Sequence, residues 1–300
     1  MAERSLADMF KELDGLSEVD EEIRETYKRA PFGWPGGKWR SLSNLLPKLP
    51  VRNSYIETCG GSGVVLLNRK RCGLEVFNDR YSGVTAFYLC LQDRELQQKL
   101  SERLSTLIHS REMFIWARDS WEDHIDTVER AARWFYTVKT SFGSIGRNWG
   151  RATASNGMIG PKLREAIPEF DWVHWRMRDV QVDNLDVIQC MKDYANHGSV
   201  IYIDPDYPGT ARGHYKHEMD EKIHYQIINT AMTGKGFYAI SGYPNLIYDD
   251  PCWKWDTRYT WQSFVSATPG AFTETNGKKD LAANFVRDYA TEVLWIKDHP

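Results

Sequence analysis

Residues 54–79, SYIETCGGSGVVLLNRKRCGLEVFND, decide how this chain folds. The run over 54–57 is short and β-prone, and it feeds a glycine-rich turn, Cys59-Gly60-Gly61-Ser62-Gly63. A helix-compatible stretch, VVLLNRK, comes next, and residues 74–77 make a second strand that ends at Asn78-Asp79. Helical spacing resumes from Tyr81 to Gln92, so the segment reads β-loop-α-β-α. Glycines between a strand and a helix let backbone approach a ligand closely, and an acid at the tip of the second strand can accept both hydroxyls of a ribose. That geometry suits any adenosine-bearing cofactor, with an ordinary glycine turn as the alternative. A nicotinamide dinucleotide site is disfavoured because Gly61-Ser62-Gly63-Val64-Val65-Leu66 lacks the third glycine. A P-loop is excluded too, since Pro35-Gly36-Gly37-Lys38 runs into Trp39 rather than Ser or Thr.

Working outward, Lys38 to Leu49 fits a short helix stopped at Pro50. Residues 94–140 read as successive helices, with Leu96, Leu100, Leu104, Leu107 and Ile108 at helical intervals. A glycine-rich block over 141–161 interrupts them. Beyond it, 180–183, 199–204 and 236–241 are strand candidates separated by helical stretches, and 291–297 is a last one. Strands alternating with helices at both ends of a helical middle predict an α/β protein, an open sheet carrying an inserted, mostly helical domain. The expected boundaries are a helical extension over 1–30, a sheet domain formed by 31–93 and 179–300, and an insert over 94–178.

Composition limits what such a protein does. With 300 residues, 42% hydrophobic and 26% charged, the chain can build a large core, and 12 Trp, 15 Tyr and 12 Phe supply bulky side chains for it. No apolar run approaches the roughly 18 residues that span a bilayer, and the acidic start lacks the basic-then-apolar pattern of a signal peptide. A soluble, unexported, cytoplasmic protein is expected. Five cysteines with no CxxC or CxxH pair predict free thiols and no structural zinc or other metal. The net charge of −3 hides an asymmetry: residues 1–30 hold nine acids and five bases, whereas 131–178 hold eight Lys/Arg and three acids. This basic block carries Trp134, Phe135, Tyr136, Phe142, Trp149, Trp172 and Trp175 as well. Cations for phosphates and planar rings for bases are what a nucleic-acid surface uses; a solvated loop beside an aromatic-packed helix is the plainer reading.

A second constellation, Asp204-Pro205-Asp206-Tyr207, follows the strand candidate ending at 204. The carboxyl end of a strand is where open α/β sheets place ligands. An exocyclic amine conjugated with a base ring has no lone pair free for attack. Two acceptors, the Asp204 carboxylate and the Pro205 carbonyl, can take its N–H bonds and localise the lone pair, while Tyr207 offers a face for a flipped-out base. In isolation the four residues read equally as a strand-ending turn with a packed tyrosine.

Taken together, these motifs resemble the Dam-like, D12-class, phage-type DNA adenine N6-methyltransferases. Phe32-Gly33-Trp34-Pro35-Gly36-Gly37-Lys38 is similar to that family's F-x-W-x-G-G-K segment, and Glu57 with Gly61-Ser62-Gly63 is similar to its cofactor loop. Asn78-Asp79 matches the ribose-acid position, Asp186 resembles the acid near the cofactor adenine, and Asp204-Pro205-Asp206-Tyr207 stands at the DPPY motif. Tyr215 to Met219, Ser241-Gly242-Tyr243 and Glu292 to Ile296 are similar to further family segments, so the likeness runs over about 31–296. The resemblance implies S-adenosylmethionine as cofactor, held by Trp34, Lys38, Glu57, Gly61, Ser62, Gly63, Asp79 and Asp186. It implies catalysis by Asp204, Pro205, Asp206 and Tyr207 on an adenine in double-stranded DNA, with no metal. The basic insert, through Arg133, Lys139, Arg147 and Arg151, is expected to grip the backbone and read the site. Cytosine N4 or RNA adenine as acceptor, and an inactive cofactor- and DNA-binding homologue, are the alternatives. Two departures stand out: Asp206 replaces the second proline of DPPY, and Thr58-Cys59 replace the proline and phenylalanine of the cofactor loop.

Overall fold

The computed structural model of the protein describes residues 26–151, 163–209, 219–264, 272–275, 278–281 and 289–300. Residues 1–25 of the extension expected over 1–30, residues 152–162 of the basic block and the segment 210–218 lie outside the described residues. A short helix α1 (Leu42–Leu45) sits between 3-10 turns at Lys38–Ser41 and Leu46–Lys48, where Pro47 divides the single helix expected to run to Leu49. Strand β1 (Ser54–Glu57), helix α2 (Val64–Asn68), strand β2 (Leu74–Asn78) and helix α3 (Ser82–Gln92) then follow as the sequence predicts. Helices α4 (Arg94–Ser105), α5 (Arg111–Ser120), α6 (Thr127–Thr140) and α7 (Phe170–Met177) make the helical middle. Strand β3 (Gln181–Asp183), helix α8 (Val187–Tyr194), strand β4 (Ser199–Ile203), helix α9 (Glu221–Thr233) and strand β5 (Gly236–Gly242) return to the sheet. Strands β6 (Thr257–Phe264), β7 (Phe272–Thr275), β8 (Lys278–Leu281) and β9 (Tyr289–His299) follow.

Seven strands form one sheet in the order β3-β2-β1-β4-β5-β9-β6, and β7 pairs with β8 separately. β1 to β5 are mutually parallel, while β9 runs antiparallel to both β5 and β6. The order reverses between β1 and β4, so the crevice beyond their carboxyl ends is where this topology places a ligand. The central strands β1, β4 and β5 are buried along their whole length because both faces are covered. Tyr55, Val200, Tyr202, Phe237, Ala239, Leu294 and Ile296 join one core; Ile56, Ile201, Ile203, Tyr238, Ile240, Val293 and Trp295 join the other.

The helical middle shares the first of these cores with the sheet. Its centre is an aromatic cluster, with Phe87 and Phe135 stacked at 4.7 Å between centroids and Phe32 edge-on to Trp134 at 5.0 Å. Each such ring, fully buried, contributes about 1.5–3 kcal/mol, and each well-placed pair about 0.5–1.5 kcal/mol more. The aromatics of the basic block therefore divide: Trp134, Phe135 and Tyr136 are core, whereas Phe142 and Trp175 are exposed. Strand β6 escapes the sequence reading because it is a largely exposed edge whose Thr257-Arg258-Tyr259-Thr260-Trp261-Gln262 run has no aliphatic residue. All five cysteines are free. Among the described residues, no helix is long and apolar enough to cross a membrane.

Candidate active site

The turn after β1 is built by conformation that only glycine adopts cheaply. Gly61 and Gly63 have φ of +51° and +67°, and a Cβ on Gly61 would lie 2.5 Å from the Trp34 ring. Gly63 then caps α2, so the loop presents backbone and not side chains to the crevice. Trp34 covers this loop, whereas Phe32 is buried in the aromatic cluster. Ser62 is buried, and its carbonyl accepts the Tyr88 hydroxyl.

Asp79, at the tip of β2, closes the turn from the other side. Its Oδ2 accepts the Gly61 amide at 2.7 Å and its Oδ1 accepts the Tyr81 amide at 2.7 Å. Burial pushes this carboxyl up to about 6, while the two amide bonds pull it back. Each oxygen keeps one further lone pair, so the carboxylate both braces the glycine loop and can accept from a ligand. Asn78 stitches the neighbouring loops together: its Nδ2 donates to the Thr58 carbonyl at 2.8 Å, and its Oδ1 accepts the Leu185 amide at 2.8 Å. Beside Asp79 opens a cleft of about 430 Å³ lined by Arg80, Ser82, Asn184, Leu185 and Asp186. Asp186 is exposed there and caps α8, its Oδ1 accepting the amides of Ile188 and Gln189 at 3.0 and 3.1 Å. The glycine cradle, Asp79 and Asp186 thus fit an adenosine-bearing group.

Glu57 has a different position from the one the resemblance implies. It is 2% exposed beneath the loop, its Oε2 accepting the Tyr55 hydroxyl at 2.9 Å. Burial pushes its carboxyl up to about 8, against hydrogen bonds from Tyr55 and the Leu66 backbone. An inward-facing acid whose charge burial disfavours supports the loop from below.

Across the switch point, Asp204 follows β4. Lys38, also expected among the cofactor-binding residues, is directed at it: Nζ lies 2.7 Å from Asp204 Oδ1 and donates to the Gly36 carbonyl at 2.8 Å. Lys38 is 4% exposed; burial works against its charge, yet Asp204 and Glu292 outweigh that and hold its pKa above the usual value. Burial also raises the Asp204 carboxyl, with Lys38 pulling it back. Pro205 is buried behind it. The Tyr207 ring lies 5.0 Å from Lys38 Nζ and meets the Tyr243 ring edge-on at 4.6 Å. Its hydroxyl reaches Asp204 Oδ1 at 3.2 Å and Glu292 Oε2 at 3.0 Å. Asp206 turns away from this cluster, its Oδ2 accepting the Met219 amide at 2.9 Å. Proline has no acceptor there, so the departure from DPPY adds a tie between the tetrapeptide and the chain that returns at Met219.

The four cations expected on the nucleic-acid surface separate into two kinds. Arg133 donates to Glu129 Oε2 at 3.0 Å and to Ser120 Oγ at 3.0 Å, and its guanidinium lies 4.2 Å from the Trp116 ring centre. Lys139 donates to the Pro31 carbonyl at 2.9 Å. These two serve the fold. Arg147 and Arg151 are exposed, in and beside a loop that the Ser141–Trp149 bridge closes. The residues that sequence reasoning left without a role are Glu292 and Tyr243. Their signal was an acid inside the apolar run TEVLWIK and an aromatic just past the end of β5.

A parallel sheet with one antiparallel insertion, a glycine loop after β1 with an acid at the tip of β2, and Asp-Pro-Asp-Tyr after β4 define a Rossmann-like fold of the kind S-adenosylmethionine-dependent methyltransferases use. The family model for "D12 class N6 adenine-specific DNA methyltransferase" matches residues 34–264, and the chain belongs to that family. It is 26% identical over 246 residues to the DNA N-6-adenine-methyltransferase of Escherichia phage P1. That alignment takes in 75% of this chain and 31% of the relative, so the chain spans about a third of the relative's length. Among solved structures, an S-adenosylmethionine-dependent O-methyltransferase of Thermotoga maritima aligns with 94% of this chain and 71% of its own at 9% identity and a TM-score of 0.37. The methyltransferase yhhF of Escherichia coli aligns with 91% and 92% at 10% identity and a TM-score of 0.32.

Proposed function

We propose that this protein methylates the N6 amine of an adenine flipped out of double-stranded DNA, using S-adenosylmethionine. The observation that carries this reading is the pairing across the switch point: a half-buried, lysine-held Asp204 with Pro205 and Tyr207 on one side, the Gly61–Gly63 cradle with Asp79 on the other. S-adenosylmethionine supplies an electrophilic methyl group on a sulfonium. The chain's own residues do the rest. Asp204 and the Pro205 carbonyl take the two N–H bonds of the amine and free its lone pair, Tyr207 stacks the base, and Lys38 keeps Asp204 charged and in register. Gly61, Ser62, Gly63, Asp79 and Asp186 hold the cofactor, with Trp34 over the loop. Glu57 supports that loop from the core.

The segment 94–178 is, in this reading, the target-recognition unit, and its exposed Arg147 and Arg151 grip phosphates. Phe142, 74% exposed in the same loop, adds an apolar ring to that surface. The tie from Asp206 to Met219 supports a retained structural purpose for this residue and not decay of the site. DNA inside a bacterial or phage-infected cell is the substrate this account requires. The experiment is nucleoside mass spectrometry on DNA and RNA incubated with the purified protein and methyl-labelled cofactor. Label in N6-methyladenine of DNA supports the reading; label in N4-methylcytosine or in RNA reassigns the acceptor, and cofactor binding without label makes the protein an inactive homologue.

A further inference from the structure

Glu292 has no part in the chemistry above, yet its carboxyl adjoins it. It lies on β9, 7% exposed, with Trp261 of β6 as its register partner. The titratable groups facing it are Lys38 from the turn before α1, Tyr202 within β4, Asp204 and Tyr207 after β4, and Tyr243 after β5. The Tyr207 hydroxyl bridges two carboxyl groups, 3.0 Å from Glu292 Oε2 and 3.2 Å from Asp204 Oδ1. A phenol carries one proton and can also accept one, so it can give its proton to one carboxylate while taking another from the second. Burial raises the Glu292 carboxyl and Lys38 pulls it back, so it holds a proton more readily than an ordinary glutamate.

We infer that Glu292 receives, through Tyr207, the proton that the substrate amine gives to Asp204 during methyl transfer. The inference rests on the methylation reading above. In that transfer the nitrogen lone pair forms the N–C bond, and the C–S electron pair remains on sulfur as the sulfonium becomes a neutral thioether. The nitrogen began with two protons and must shed one. Asp204 accepts it and passes it to the Tyr207 oxygen as Tyr207 passes its own proton to Glu292. One proton has moved from amine to Glu292, and Asp204 and Tyr207 are back in their starting states. Glu292 is therefore a positioning and proton-accepting residue that acts through Tyr207.

The test is single-turnover methyl transfer as a function of pH for the unaltered protein, Glu292→Gln and Tyr207→Phe, with cofactor and DNA affinities measured alongside. Glutamine still accepts the Tyr207 hydroxyl but takes no proton. The expected result is a Glu292→Gln rate about 100-fold lower, the lower end of what a positioned general base contributes, with affinities within about twofold. The unaltered rate rises with pH as Glu292 ionises, and both variants lack that limb. A Glu292→Gln enzyme with the unaltered rate and the same limb overturns this inference and leaves the methylation reading standing. An unaltered protein that transfers no methyl group to any acceptor overturns both. Carbon-13 NMR of labelled glutamate in the folded, unaltered protein gives a second readout. The Glu292 carboxyl should titrate above the ordinary glutamate range and move in Tyr207→Phe; an ordinary midpoint indifferent to Tyr207 also overturns the inference.

Discussion

Glu57→Gln tests whether the acid of the cofactor loop is a ligand-facing carboxylate or a buried neutral prop. Glutamine keeps an acceptor for the Tyr55 hydroxyl, 2.9 Å away, and removes only the titration. The folded carboxyl sits at about 8 against 4.5 for the unperturbed group. Between those values the folded protein holds a proton that the unfolded chain has released, so the contribution is full below the unfolded value and is lost as pH rises through the folded one. Asp79, raised to about 6, acts in the same direction below pH 6, and His224, lowered to about 4, acts oppositely up to its unfolded value near 6.5. The window from pH 6.5 to 8 therefore isolates Glu57 from both. At about 1.4 kcal/mol per pH unit, diminishing as the folded carboxyl titrates toward pH 8, the unaltered protein should lose about 1.6 kcal/mol across that window that Glu57→Gln retains. Urea unfolding at pH 6.5, 7, 7.5 and 8 measures the difference in slope between the two proteins. Parallel slopes would mean Glu57 is ionised when folded, and the buried-prop assignment would be wrong.

Other perturbations probe the remaining parts of the site. Asp79→Ala removes the acceptor of the Gly61 and Tyr81 amides and a ligand acceptor, and calorimetry should show S-adenosylmethionine binding weakened about 10- to 150-fold, the equivalent of about 1.5–3 kcal/mol. Asp204→Ala should leave DNA and cofactor affinity within a few-fold while lowering single-turnover transfer by at least about 100-fold, because the lost interaction tightens mainly in the transition state. Arg147→Ala and Arg151→Ala should each reduce the log–log salt slope of DNA binding by about 0.9, whereas Arg133→Ala should lower the melting temperature instead, since its guanidinium serves Glu129, Ser120 and Trp116. Asp206→Pro should accelerate hydrogen exchange at the Met219 amide, and Asp206→Asn, which keeps the acceptor, should not.

The parts of the fold legible in the sequence are those that one rule of chain geometry determines. Strand, glycine turn and acid over 54–79 leave few alternatives, and the buried strands β4, β5 and β9 show as apolar runs because both faces are covered. β6 was not legible, since an exposed edge strand carries no apolar run. The site was legible as residue types but not as partners. Lys38 lies 166 positions from Asp204, and only the sheet order brings the two within 2.7 Å. Glu292 is likewise joined to Tyr207 by a strand inserted antiparallel between β5 and β6, which no local pattern reveals. Charge counting over 131–178 found a basic block but could not separate Arg133, engaged by Glu129, from the exposed Arg147.

The most direct test of the central claim is to incubate unmethylated double-stranded DNA with the unaltered protein and methyl-labelled S-adenosylmethionine, then digest and quantify methylated nucleosides by mass spectrometry. The account predicts label in N6-methyladenine at a defined sequence and none in the Asp204→Ala control. Label confined to another base, or no label from a protein that binds the cofactor, would contradict it.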